Sequence, residues 1–330
     1  MSEAVKLKDL CKEFTFTSKD PQRGFLSNIV APQRKTIQAV DNISLYITKG
    51  ETVAFIGPNG AGKSTTIKML SGILYPTSGE IEVLGLNPQR ERRQLAYKIG
   101  TVFGQRSQLI FNLPVTDSLE LFAKIYEIPE ALYQTRKAQL IELFSLDEIL
   151  TQPVRKLSLG QRMRAEIACA LLHEPEIVFL DEPTIGLDIV AKRRLRENLR
   201  RINQELGTTI FLTSHDAGDV EYICDRTIII NTGKVAFDGL TNVLKKRYLT
   251  YKIVQIDYDD TLVGQTIKLD GVSVENSNDH QLTLVVDTNK IGIDVVLKEV
   301  VAGRDIADIS IYDPPLEEII EKVYKEAGDA

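Results

Sequence analysis

The sequence predicts an α/β fold: a mostly parallel sheet with helices on its faces, followed by a smaller α/β appendix. Three observations predict it. Short, charge-flanked apolar runs at 51–56, 176–180 and 208–213 alternate with helix-like segments at 115–150, 160–173 and 189–205. That alternation is the pattern of buried strands joined by helical crossovers. A glycine-rich turn follows the 51–56 strand and opens a helix. After Arg247 the pattern changes: strand-like runs at 251–256, 282–286 and 306–311 flank a helical stretch at 293–300, and a last helix begins near Pro315. This closing stretch spans about 80 residues, near the lower end of independent domain size.

Taken in order, 5–16 and 37–48 alternate apolar and polar residues and read as strands. Between them, 17–36 carries Pro21, Gly24 and Pro32 with mixed charge, and reads as a surface loop. Its apolar Phe25, Leu26 and Ile29, near Lys and Arg, leave a second reading, contact with a membrane surface or membrane partner. Residues 115–150 read as helical throughout, with Leu119, Phe122, Ile125 and Tyr126 at helical spacing. The helix at 189–205 is very basic (Lys192, Arg193, Arg194, Arg196, Arg200, Arg201), and reads as a solvated face with Glu197 and Glu205 alongside.

Composition narrows the class. The 330 residues are 43% hydrophobic and 26% charged, enough to bury a substantial core. Formal net charge is -6, so no overall basic footprint points to nucleic acid, and no nucleic-acid partner is expected. Cys11, Cys169 and Cys224 are odd in number and lack metal-site spacing, which suggests a reducing, cytoplasmic compartment. The first residues lack a signal peptide's apolar stretch, and no window reaches the ~18 apolar residues of a membrane helix. Any membrane process this chain serves would need another chain to span the bilayer.

The strongest chemical signal is Gly57, Pro58, Asn59, Gly60, Ala61, Gly62, Lys63 and Ser64, which fits G-x-x-x-x-G-K-[ST] between a buried strand and a helix. Glycines let backbone N–H groups converge on a phosphate, and the helix N-terminus adds partial positive charge. Lys63 would reach the β- and γ-phosphates of ATP, Ser64 would ligate Mg²⁺, and Thr65 would donate to the α-phosphate. The bland alternative is a chance match in a glycine-rich turn. A second signal is the apolar run 177–180 ending in Asp181 and Glu182. Asp181 suits an Mg²⁺ ligand acting through water, and Glu182 a general base for the attacking water. A strand end turning into solvent explains exposed acids equally well.

Leu157-Ser158-Leu159-Gly160-Gln161, leading into a helix, resembles the LSGGQ signature of the ABC ATPase family. The resemblance covers residues 1 to about 245 and continues through Gln105, Gly186-Leu187-Asp188 and Ser214-His215-Asp216, which match the family's Q-, D- and H-loops. It implies a P-loop NTPase ABC cassette, with a mixed sheet core, an antiparallel β subdomain and an α-helical subdomain at about 107–170. The cassette would span 1–246, and 247–330 would be a C-terminal α/β accessory domain. Two cassettes, identical or related, would sandwich ATP head to tail. Ser158, Gly160 and Gln161 of one would face the phosphate loop of the other, and Asp188 would communicate across the dimer. Gln105 would sense Mg²⁺ and the attacking water, and His215 would contact the γ-phosphate. An aromatic near the N-terminus stacks on adenine in the family; Phe14 matches best, Phe16 next, and plain core packing is the alternative.

Two departures stand out. Leu159 replaces the first glycine of the signature, and Gly104 adds a glycine before Gln105, which leaves Gln108 as an alternative. The segment 181–188, the appendix and the ending Asp313-Pro314-Pro315-Leu316-Glu317-Glu318 most resemble cassettes of ABC-2-type exporters. That implies an ATPase powering export through a separate integral membrane permease, on the inner face of the cell membrane. A soluble ABC ATPase of translation or DNA repair, and an importer cassette with a regulatory C-terminal domain, are the rivals. A single cassette without a heptad run disfavours the first.

Overall fold

The computed structural model describes residues 2–18, 33–104, 107–248, 251–259, 269–302 and 305–328. The described chain forms two compact units, one built on Met1–Thr241 and the other on Asn242–Glu326.

The first unit opens with a long hairpin, β1 (Glu3–Ser18) and β2 (Gln33–Thr48), followed by β3 (Thr52–Ile56) and α1 (Lys63–Leu70). Next come β4 (Ser78–Val83), the short α2 (Arg92–Ala96) and β5 (Ile99–Phe103). Three helices follow: α3 (Val115–Ile125), α4 (Glu130–Phe144) and α5 (Leu159–Leu171). The unit continues with β6 (Ile177–Asp181), α6 (Ile189–Leu206), β7 (Thr209–Thr213) and α7 (Ala217–Ile223). It ends with β8 (Arg226–Asn231), β9 (Lys234–Leu240) and the start of α8 (Thr241–Tyr248).

Among the described residues, six strands form one sheet in the order β5-β6-β7-β3-β8-β9. The first five run parallel and β9 closes the edge antiparallel. Every residue of β3 and β7 is buried, as strands covered on both faces require. A second, antiparallel sheet has the order β2-β1-β4. Its Leu7, Leu10, Ile43 and Ile47 share one core with Ile67, Met69 and Leu70 of α1 and with Phe55, Phe179 and Phe211 of the main sheet. Phe211 is the hub, with ring centroids 5.2 Å from Phe55 and 5.7 Å from Phe179.

Three expectations change. The segment 115–150 is not one helix: α3 and α4 are separated at Pro129. The proline ring disfavours helical backbone at Ile128 and supplies no N–H, and Glu127 takes φ 54°. The hairpin strands run past 16 and begin before 37, pairing as far as Ser18↔Gln33. The predicted loop therefore shortens to 19–32, and with Phe25, Leu26 and Ile29 it lies outside the described residues. From Lys12 onward β1 pairs only with β2 among the described residues, since pairing with β4 ends at Cys11↔Ser78. Finally, only part of the basic helix is solvated. Arg193–Glu197 and Arg201–Glu205 are exposed i,i+4 pairs, while Lys192, Arg196 and Arg200 pair with Asp216, Asp219 and Asp225 in and beyond α7.

The second unit contains β10 (Tyr251–Tyr258), β11 (Val272–Ser277), β12 (Gln281–Asp287), α9 (Ile293–Val301), β13 (Ile306–Tyr312) and α10 (Leu316–Gly328). Its sheet is antiparallel in the order β11-β12-β10-β13. Val296 and Val300 of α9 pack on Val254, Ile256, Leu282, Leu284 and Val286, giving the unit its own core.

Candidate active site

The carboxyl ends of β3, β6 and β7 lie side by side in the parallel sheet, and each delivers part of one polar cluster. This edge is where open α/β sheets place ligands. After β3, the chain turns through Gly57–Gly62 into α1. A Cβ at Gly57 would collide with the Ile230 carbonyl of β8. Gly62 caps α1 with φ 105°, and a Cβ there would collide with the Ala39 carbonyl. Both positions admit only glycine, and this lets the backbone come close to a ligand.

Lys63 opens α1 and is buried, with Nζ donating to the carbonyls of Gly57 (2.6 Å) and Pro58 (3.2 Å) and lying 3.3 Å from His215 Nε2. Burial lowers the Lys63 pKa, opposed by the carboxylates of Glu182 and Asp181. The Ser64 hydroxyl donates to Asp181 Oδ1 at 3.3 Å, and Thr213 Oγ1 donates to the same oxygen at 2.7 Å. Glu182 takes a left-handed φ of 55°, a conformation that costs a non-glycine residue about 1–2 kcal/mol. Its N–H is held by the Thr213 hydroxyl and carbonyl, both at 3.1 Å, and its Oε1 lies 2.9 Å from His215 Nε2. Such strain is stored where the surroundings over-determine a side chain's aim.

The fold thus brings together Lys63, Ser64, Asp181, Glu182 and His215. A hydroxyl beside a carboxylate at the mouth of a phosphate loop is a hard-oxygen donor pair of the kind Mg²⁺ takes. Ser158, Gly160, Gln161 and Asp188 stand elsewhere: among the described residues no hydrogen bond or ion pair ties them to the Lys63 cluster. Ser158 and Gln161 cap α5 reciprocally, Gln161 N–H to Ser158 Oγ at 3.2 Å and Ser158 N–H to Gln161 Oε1 at 2.9 Å. Asp188 caps α6, accepting from Ala191 N–H at 2.8 Å. Thr65 follows Ser64 in the first turn of α1. Phe14 is 39% exposed on the stretch of β1 paired with β2 alone, with Lys12 Nζ 5.1 Å over its ring; Phe16 is 42% exposed. Gln105 lies outside the described residues. Gln108 spends its side-chain amide on the Thr101 carbonyl of β5.

Sequence reasoning missed three residues. Thr213 joins Asp181 to the Glu182 backbone. Asp219, fully buried, accepts from Ser214 Oγ (2.6 Å), Thr184 Oγ1 and Arg196 Nε (2.7 Å), and so fixes the turns after β6 and β7. Glu166, buried on α5, accepts from Gln108 N–H through both oxygens, and burial raises its pKa. A threonine immediately before Ser214-His215 was a weak available signal; nothing in the spacing marks Asp219 or Glu166 as buried.

Comparisons with known proteins show the family and the fold. A family model described as ABC transporter matches residues 40–185. The linearmycin resistance ATP-binding protein LnrL of Bacillus subtilis (strain 168) is 31% identical over 294 residues, covering 87% of this chain and 93% of that protein. The bacitracin transport ATP-binding protein BcrA of Bacillus licheniformis is 31% identical over 291 residues, covering 87% and 92%. Among solved structures, the dimeric post-hydrolysis state of the ATP-binding cassette MJ0796 bound to ADP and Pi superposes with a TM-score of 0.60 at 27% identity, covering 72% of this chain and 98% of that one. The cbiO1 subunit from Clostridium perfringens, part of the cbiONQ ABC transporter complex, gives 0.60 at 27% identity, covering 76% and 96%.

Proposed function

This chain belongs to the ABC transporter family as an ATP-binding subunit, an ATPase coupled to transport, and from that premise we propose that it drives export through a separate ABC-2-type membrane permease. The observation that carries the ATPase site is the run Lys63 Nζ to His215 Nε2 (3.3 Å) to Glu182 Oε1 (2.9 Å) at adjoining strand ends. Lys63 meets the β- and γ-phosphates. Gly57, Asn59, Gly60, Ala61 and Gly62 offer backbone N–H groups around them and Thr65 a hydroxyl, while Pro58, which has no N–H, shapes the turn. His215 holds the γ-phosphate, and Glu182 accepts the proton of the attacking water, its carboxylate aimed by the strained backbone and by Thr213. Ser64 and Asp181 would hold Mg²⁺, which neutralises charge on the phosphates. By the family resemblance Gln105, which lies outside the described residues, would sense Mg²⁺ and the attacking water, and Phe14 would stack on the base.

The second half of each site comes from a partner cassette. Ser158, Gly160 and Gln161 begin a helix, whose N-terminus suits a γ-phosphate. Their separation from the Lys63 cluster supports use in trans. Beside Asp188, Ile185, Ile189 and Val190 are 51%, 86% and 62% exposed, apolar surface suited to burial against a second chain. Dimeric solved cassettes are in keeping with this. The cassette is taken as 1–246 with its helical part near 107–170; helical residues 115–150 would grip the permease, and 247–330 would support the dimer or serve a structural role. Among the described residues no helix is long and apolar enough to cross a membrane, so attachment to the inner membrane face would run through the permease. Relatives named for linearmycin resistance and bacitracin transport support export.

The test is Glu182→Gln. It keeps the side chain's size and removes the base, so turnover falls by at least 10²-fold while an ATP-bound dimer accumulates, read by light scattering. A monomeric variant with full ATPase activity refutes the two-cassette site. Copurification with ribosomes or DNA in place of a membrane protein refutes the export assignment.

A further inference from the structure

The start of α5 and the turn that follows Glu182 are interlocked within one chain by two leucine–glycine pairs. Leu159 Cδ2 lies against Gly186, so closely that a Cβ at Gly186 would collide with it. In return Leu187 covers Gly160, where a Cβ would stand 3.2 Å from Leu187 Cδ2. Gly186 has φ 68° and Leu187 is 8% exposed. The turn is anchored at its other end: Leu187 N–H donates to Thr184 O (3.2 Å), Ile185 N–H to Glu182 O (3.3 Å), and Thr184 Oγ1 to buried Asp219. The run from Glu182 to Asp188 is thus a short, fully tethered turn, with one face pressed on the helix end that carries Ser158 and Gly160. The leucine that makes the contact stands where the resembling signature has glycine, a residue with no side chain to reach Gly186.

We propose that Leu159 is a positioning residue: its side chain transmits the placement of the Ser158–Gly160 helix end to the carboxylate of Glu182 in the same chain. Resting on the assignment above, this gives the contact a direction. A chain whose Ser158–Gly160 end has closed on its partner's nucleotide pushes, through Leu159 and Gly186, on the base that activates the water attacking its own nucleotide. Leu159 touches no reacting atom and acts only through the turn.

A double-mutant cycle tests this on the full-length chain. Leu159→Ala lowers kcat for ATP several-fold, with KM and the affinity of the chain for a fluorescent ATP analogue unchanged. Leu159→Met, which keeps a methyl in reach, retains kcat. Gly186→Ala lowers kcat at least tenfold more in the wild-type background than in the Leu159→Ala background. The left-handed φ is common to both backgrounds and cancels, leaving the collision with Leu159. Equal effects of Gly186→Ala in both backgrounds, or an unchanged kcat in Leu159→Ala, overturns the proposal. So does a fall in nucleotide affinity in step with kcat, the mark of a general structural defect. Glu182→Gln measured beside them separates the two failures: if it retains turnover the site assignment is wrong, and if it is inert while the cycle shows no coupling only the role of Leu159 is lost.

Discussion

His173 sets an acid limit on the first unit. Its Nε2–H donates to the Ile99 carbonyl at 3.0 Å, and its ring stacks on Tyr126 with centroids 3.8 Å apart. Nδ1 is buried without a hydrogen-bond partner among the described residues. Burial lowers the pKa from 6.5 to about 4, the Ile99 hydrogen bond opposing and nearby Arg136 assisting. The folded chain therefore binds fewer protons here than the unfolded chain. The stability His173 contributes is complete above pH 6.5 and is lost as pH falls towards 4. The full difference corresponds to about 3 kcal/mol, of which about 2 kcal/mol is already lost at pH 5. That is a large share of the roughly 5–15 kcal/mol that holds a domain together. The perturbation is His173→Gln, whose amide still donates to Ile99 and does not titrate. Denaturant unfolding shows the variant less stable than wild type at pH 8, with the gap narrowing by about 2 kcal/mol at pH 5. With only three histidines in the chain, His173 is assignable by NMR through loss of its ring resonance in the variant. A gap that stays constant with pH, or a His173 resonance titrating near 6.5, refutes the reasoning.

Two further outcomes follow from the site. Thr213→Val keeps shape but removes the hydroxyl between Asp181 and the Glu182 N–H; kcat falls roughly tenfold with melting temperature nearly unchanged, about the worth of one hydrogen bond to a charged group. Steady-state ATPase assays decide it, and an unchanged kcat removes Thr213 from the site. Gly62→Ala forces a Cβ onto the Ala39 carbonyl at φ 105°. The phosphate loop then shifts and nucleotide affinity drops by about two orders of magnitude or more, measured by equilibrium binding of a fluorescent ATP analogue.

The chemistry was legible where local sequence dictates local geometry. Gly57–Ser64 between a buried strand and a helix has few alternative conformations, and Ser158 with Gln161 encodes its own helix cap. The 177–180 run announced a strand because an uninterrupted apolar stretch fits only a doubly covered sheet. Legibility stopped where tertiary contacts decide. Pro129 was a readable helix break, outweighed in a periodicity count by Leu119, Phe122, Ile125 and Tyr126. β4 and β8 are short or half-exposed and pair with β1 and β3, partners distant in the chain, while β9 pairs with β8 across a tight turn whose only local mark is Gly233. The inward ion pairs of Lys192, Arg196 and Arg200 escaped for the same reason: their acids belong to α7 and the turns on either side of it, and a charge run does not say which side faces inward.

The hairpin that opens the chain carries one more implication. β1 leaves its third strand at Cys11, and irregular register follows on both sides of Lys12. The seven residues to Ser18 form a narrow arm roughly 23 Å long. Such a two-stranded arm is marginal by itself. Phe14 rides on this arm, so in the stacking role proposed above its grip on a purine ring would be governed by the fraying of two paired strands rather than by the melting of the cassette. Temperature or denaturant would loosen the hold on the base well before it disturbs the hold on the phosphates.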